Sequence, residues 1–189
     1  MPSSFVEGST ARVGLILPHD PTDIGSLIRH PALAINPNAN VHSCVELSAL
    51  DLSIEIIYVD SHACNDEACR LLDLSPFTHL KAFEVGEASL RYVDVVKLIG
   101  LKVLERVVIG QYCFIGYSEK GEKGHFHLRD CERLRELKIG RKSFWHYSVC
   151  EMSNLDALEG IEIGDEKNSN DNFYYVSQLE LRSRCVRVE

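Results

Sequence analysis

Leu80-Lys81-Ala82-Phe83-Glu84-Val85-Gly86 is one of four stretches of this chain that end in the same way. The others are Leu104-Glu105-Arg106-Val107-Val108-Ile109-Gly110, Leu134-Arg135-Glu136-Leu137-Lys138-Ile139-Gly140 and Leu158-Glu159-Gly160-Ile161-Glu162-Ile163-Gly164. Each reads Leu-x-x-φ-x-(Ile/Val)-Gly, with Phe, Val, Leu or Ile at φ. From glycine to glycine the steps are 24 residues (86 to 110), 30 (110 to 140) and 24 (140 to 164). A recurrence of this length is the mark of a stacked repeat array.

The phrase extends in both directions. Apolar residues recur three and six positions before the first leucine: Leu74 and Phe77, Leu98 and Leu101, Leu128 and Cys131, Met152 and Leu155. After the glycine comes a small polar residue and then an apolar one: Ser89-Leu90, Cys113-Phe114 and Ser143-Phe144. In the fourth unit a polar insertion, Asp165 to Asn172, delays this step to Phe173. The φ-x-(Ile/Val) segment has the period of two that puts both apolar side chains on one face of a short strand. A single strand of this kind cannot bury that face, and stacked copies can, as a parallel sheet with a continuous core behind it. The glycine is expected at a tight turn that ends each strand. A weaker fifth unit precedes these, Ile54-Glu55-Ile56-Ile57-Tyr58-Val59-Asp60. At the far end Leu179-Glu180-Leu181-Arg182-Ser183 echoes Phe126-His127-Leu128-Arg129-Asp130, the opening of a unit that does not complete.

The pattern resembles leucine-rich repeats, in particular the BspA-like class with its L-x-x-I-x-I … [AS]-F phrasing. The resemblance covers roughly residues 47 to 183. It implies an α/β or mainly β leucine-rich-repeat solenoid, with a parallel sheet of about five to six short strands and irregular segments on the convex side. Three residues after the strand's last apolar residue, where the better-known leucine-rich repeats carry Asn or Cys, this chain has Ala88, Tyr112, Lys142 and Glu166. No asparagine ladder is expected.

Residues 1–46 hold most of the prolines and lack the repeat. They read as an irregular capping segment with a possible strand at Val13 to Leu17, or as a disordered leader. Residues 184–189 form a tail. Asp66 to Leu72 suits one or two helical turns. Tyr92 to Leu98 alternates and suits a second short strand on the convex side. The loop from Gly116 to His125 and the Asp165–Asn172 insertion are polar and both follow the strand, so they project from one edge.

Composition bounds the function. The 189 residues are 45% hydrophobic and 25% charged, as in ordinary globular domains. A net charge of −8, with scattered Lys and Arg, disfavours a nucleic-acid footprint. No apolar run approaches the ~20 residues that a membrane helix needs, and the N-terminus lacks the features of a signal peptide. Seven cysteines, an odd number, argue against a complete disulfide framework and favour a reducing, cytoplasmic setting. The family resemblance leaves the cell surface open.

Strand alternation also names the residues that point away from the core. One column is Tyr58, Glu84, Val108, Lys138, Glu162 and Glu180; its neighbour is Ile56, Ala82, Arg106, Glu136 and Gly160. Repeat arrays commonly recognise partners through such a face, although a solvated strand face has the same pattern. The candidate protein-binding residues are Tyr58, Glu84, Arg106, Val108, Glu136, Lys138, Glu162 and Glu180. His125 and His127 with Cys131 invite a metal reading. Phe126 and Leu128 are the core residues there, however, which leaves both histidines outside. His62, Cys64 and Cys69 form a second group open to zinc or redox use, with burial of Cys64 as the plainer reading. No nucleophile elbow and no phosphate loop occurs. No catalytic, cofactor or metal residue is assigned. The expected function is a non-catalytic scaffold that binds a protein through the sheet face or edge loops. The alternative is a structural spacer in a larger repeat protein, and an enzyme on a solenoid face ranks last.

Overall fold

The computed structural model describes residues 36–116, 124–164 and 171–182. Contacts divide the chain after residue 35, and every described residue belongs to the second unit. The Val13–Leu17 strand, most of the polar loop after Gly116, most of the later insertion and the tail fall outside the described residues.

In chain order the elements are β1 (Asn38–Val41), α1 (Cys44–Ser48), β2 (Ile56–Val59), β3 (Leu71–Asp73), β4 (Ala82–Val85), β5 (Val95–Ile99), β6 (Arg106–Ile109), β7 (Gly124–Arg129), β8 (Glu136–Ile139), β9 (Tyr147–Ser153), β10 (Gly160–Ile163) and β11 (Gln178–Arg182). They build two parallel sheets. The first has six strands in the order β1-β2-β4-β6-β8-β10 and the second five, β11-β9-β7-β5-β3. From β2 onward the chain visits the sheets alternately, so each repeat gives one strand to each. The four Leu-x-x-φ-x-(Ile/Val) stretches are β4, β6, β8 and β10, in unbroken register: Phe83 beside Val107 beside Leu137 beside Ile161. The sheet also includes β1, which lies before residue 47 and pairs with β2 from Asn38 opposite Ile56 to Val41 opposite Val59.

The second sheet corrects the expectation of irregular convex segments. Its inward residues alternate as strictly as those of the first: Val96 and Leu98, Phe126 and Leu128, Cys150 and Met152 are all buried. Period-two burial on that side makes a ladder of strands rather than loops. Asp66 to Leu72 is not helical either. The Asp66 carboxylate accepts the Ala68 N–H at 2.8 Å, an Asx-type turn, and the backbone then enters β3 to pair with β5. The one described helix, α1, lies elsewhere. Ser43 caps it by accepting the Glu46 N–H at 3.2 Å, and Glu46 reaches back to the His42 N–H at 2.8 Å.

Three of the strand-ending glycines, Gly86, Gly110 and Gly140, answer to a neighbour, whereas Gly164, with φ 88°, takes the left-handed backbone expected at a turn. A Cβ on Gly86 would sit 2.5 Å from the Ser61 backbone nitrogen, and one on Gly140 2.6 Å from that of Gln111. Layers pass too close there for any side chain. The turn itself uses other residues. Ala88 and Leu90, Tyr112 and Phe114, and Lys142 and Phe144 all have φ between 52° and 58°, in the left-handed region that non-glycine residues rarely enter.

Side chains on the intervening residue hold that corner. Ser89 Oγ donates to the Asp60 carbonyl at 2.6 Å, Cys113 Sγ to Gly86 at 3.0 Å, Ser143 Oγ to Gly110 at 2.8 Å and Asn172 Nδ2 to Gly140 at 2.7 Å. Return bonds run from the Ala63 N–H to Ser89 Oγ and from the Cys113 N–H to Ser143 Oγ. A ladder therefore exists, one residue after the position where asparagine was sought in three units and six residues after it, at Asn172, in the fourth. Behind it Phe114, Phe144 and Phe173 stack in parallel with centroids 4.9 Å apart at each step. Tyr147 is wholly buried, and its hydroxyl donates to the Val93 carbonyl at 2.6 Å, so its polar tip is satisfied.

Three substitutions test this account by urea denaturation. Phe144→Ala removes the middle ring of the stack and should cost about 3–5 kcal/mol. Ser143→Ala strands the half-buried Gly110 carbonyl and the buried Cys113 N–H and should cost about 1–3 kcal/mol. Gly140→Ala forces two layers apart and should also cost about 1–3 kcal/mol; unchanged stability there would mean that the layers are not in close contact at the glycine.

Candidate functional site

The outward face of the first sheet gathers seven of the eight candidate residues. Ile56, Ala82, Arg106, Glu136 and Gly160 are register partners in one row, and Tyr58, Glu84, Val108, Lys138 and Glu162 in the next. Parallel pairing places equivalent residues side by side, so every repeat adds one residue to each row.

The charged members join into one chain of ion pairs. Arg106 reaches Glu84 at 3.3 Å and Glu136 at 3.0 Å; Lys138 reaches Glu136 at 2.9 Å and Glu162 at 3.4 Å. Glu136 thus sits between two cations. The hydrogen bond from Lys138 holds its carboxyl below the ordinary value of 4.5, with the Arg106 charge adding to the effect. The same contact raises Lys138. These groups are solvated, so the pairs contribute little to stability. Their effect is to fix the side chains as an ordered strip of alternating sign, with Tyr58 exposed at one end.

A shallow depression of about 460 Å³ opens at the other end, lined by Arg135, Glu136, Leu137, Lys138, Glu159, Gly160 and Glu162. Gly160 explains it. Its place in the row belongs to Glu136 and Arg106 in neighbouring repeats, and a Cβ there would meet nothing within 4 Å.

Glu180 is the exception. It lies on β11 in the second sheet, opposite Glu151, and its column there runs Asp73, Lys97, His127, Glu151, Glu180. The placement follows from Leu179 and Leu181, which take the register positions of Cys150 and Met152 and hence of Phe126 and Leu128. The sequence echo between 179–183 and 126–130 carried that signal. On this second face His127 Nδ1 lies 2.7 Å from Glu151, and His125 and His127 sit outside the core with ring centroids 6.0 Å apart. Among the described residues no three His, Cys, Asp or Glu side chains are placed to hold a metal ion.

An aromatic cluster lies outside the two candidate columns. Trp145 and His146 follow Phe144 as Tyr174 and Tyr175 follow Phe173, so the four rings pair across one layer step. Trp145 packs on Tyr174 at 5.5 Å and His146 on Tyr175 at 5.1 Å. Lys142 lies 5.6 Å from the Trp145 ring, and both tyrosines are exposed.

Comparison with protein-family models, with curated proteins and with solved structures returned no match. No helix among the described residues is long and apolar enough to cross a membrane.

The ion-pair strip predicts a pH signature. Glu136 has a folded value below its unfolded one, so the pair's contribution is present above about pH 4.5 and fades as the pH falls through the folded value. In Lys138→Gln the Glu136 titration followed by NMR should move up toward the ordinary carboxylate range, while Arg106→Ala should change stability by less than about 1 kcal/mol.

Proposed function

We propose that this chain is a leucine-rich-repeat solenoid of the BspA-like kind that works as a non-catalytic interaction module, binding a protein through the outward face of the six-stranded sheet. The observation that carries this reading is the strip from Glu84 through Arg106, Glu136 and Lys138 to Glu162, whose charges are mutually fixed across four strands. A pre-ordered row of alternating charge loses little side-chain freedom on binding and rejects partners of the wrong pattern. The repeat phrase, the alternation between two parallel sheets and the corner ladder support the solenoid part of the reading.

The second reading is a structural element joined end to end within a larger repeat assembly. One specific observation favours it. Ile161, Ile163, Leu179 and Leu181 occupy core columns whose members in the preceding layer are buried, yet they are 41%, 43%, 60% and 57% exposed. Among the described residues this layer's core face is uncovered.

A pull-down from source lysate separates the two. The wild type is run beside Glu84→Lys/Glu162→Lys, after circular dichroism has established that the variant folds. A specific protein retained by the first and lost by the second supports recognition by the sheet face. Retention by both sinks that role for these carboxylates. Concentration-dependent association of the wild type, abolished by Leu179→Lys/Leu181→Lys, supports the structural reading.

A further inference from the structure

The strip of fixed charges on the first sheet is one cation short. Its members run Glu84, Arg106, Glu136, Lys138 and Glu162, three carboxylates to two bases. Each base is therefore shared. Arg106 serves Glu84 and Glu136, and Lys138 serves Glu136 at 2.9 Å and Glu162 at 3.4 Å. Glu162, at the end of the strip, holds only the longer half of that last contact, and its side chain is 71% exposed. Glu159, which leads into β10 beside it, makes no ion pair among the described residues.

These carboxylates surround an open place in the row. Gly160 is the register partner of Glu136 as Glu136 is of Arg106, so the signs along the row run plus, minus, and then a residue without a side chain. The depression of about 460 Å³ opens there, and a Cβ on Gly160 would meet nothing within 4 Å. Its rim carries Glu136, Glu159 and Glu162 against Arg135 and Lys138. Lys138 is already committed to two of those carboxylates, so an entering cation meets surplus negative charge, and an entering anion is opposed by it.

The same row shows how it takes a cation. Arg106 turns Nη1 to Glu84 at 3.3 Å and Nε to Glu136 at 3.0 Å, so one planar guanidinium serves two carboxylates through different nitrogens. An ammonium is a point charge without that fork. We propose, on the reading of this sheet face as a recognition surface, that the Gly160 depression seats one arginine side chain presented by the partner protein. The guanidinium takes the place that Arg106 holds two strands earlier, here against Glu159 and Glu162, and supplies the base that the strip lacks. The partner that fits is a protein with a protruding arginine, and Gly160 admits it by leaving the row open.

The test is an NMR titration of the full chain with a blocked Gly-Gly-Arg-Gly-Gly peptide. The same peptide with citrulline or glutamate in place of the arginine is run beside it. The expected result is a saturable shift of the Glu162 amide with the arginine peptide and none with the other two at the same concentrations. Gly160→Leu, whose side chain has open space to enter, should fold by circular dichroism and lose the shift. Glu159→Gln/Glu162→Gln should lose the shift of the residue 162 amide as well. An equal shift with citrulline, tighter binding of the glutamate peptide, no shift with arginine, or a shift that persists in Gly160→Leu overturns the proposal. In the pull-down, a protein lost by Glu84→Lys/Glu162→Lys but retained by Gly160→Leu overturns the arginine seat and leaves recognition by the sheet face standing. Retention by both variants overturns the reading of the face itself, whatever the peptides do.

Discussion

Everything in this chain hangs on the hydrogen bond that a small polar side chain at the corner gives to a backbone carbonyl one layer earlier. Ser89, Cys113, Ser143 and Asn172 each do this, to Asp60, Gly86, Gly110 and Gly140. Each bond satisfies a carbonyl that the turn has removed from the strand ladder, and a buried carbonyl left alone is costly. It also fixes the distance between layers at the place where glycine leaves no room for error. With that spacing set, the flanking residues accept left-handed backbone although one of them is a Leu or Phe. The chain then doubles back and meets the second sheet. Side chains behind the corner stack because the corner repeats: the parallel Phe114, Phe144 and Phe173 rings are the result of that regular spacing.

Much of this was legible in the sequence, and the reasons differ by element. The first sheet could be read from four aligned phrases because its inward positions are all apolar and its period is two. The second sheet was harder. Its strands mix Val96, Phe126 and Cys150 in one column, and only Tyr92 to Leu98 alternated clearly enough to suggest a strand. The Asp66 segment looked helical because its composition suits a helix, but an Asx turn and strand pairing used the same backbone groups first. The polar ladder was hidden by its residue types. A search for asparagine finds Ala88, Tyr112 and Lys142, whereas Ser89, Cys113 and Ser143 do the work one position later, and Asn172 does it six residues after Glu166.

The candidate surface was legible to the extent that parallel register is legible. Equivalent positions in successive repeats had to be neighbours, so Glu84, Arg106, Glu136, Lys138 and Glu162 could be grouped without coordinates. Their linkage into one ion-pair chain was not readable, since it depends on the reach of Arg106 across two strands. Glu180 went astray because its flanking leucines belong to the other sheet's period.

The corner ladder has one more consequence, for ancestry. Each bond in it joins a corner side chain to the strand-ending carbonyl one repeat back, a group that every layer supplies. A segment running from one strand-ending glycine to the next therefore carries a complete donor and a complete acceptor. Copying such a segment in tandem, or deleting one, leaves every remaining rung with a partner. A gene encoding this chain can lengthen or shorten by whole units while the protein between them stays foldable. The 24- and 30-residue steps that stand side by side here fit such a history of unit-wise copying followed by insertion at the loops.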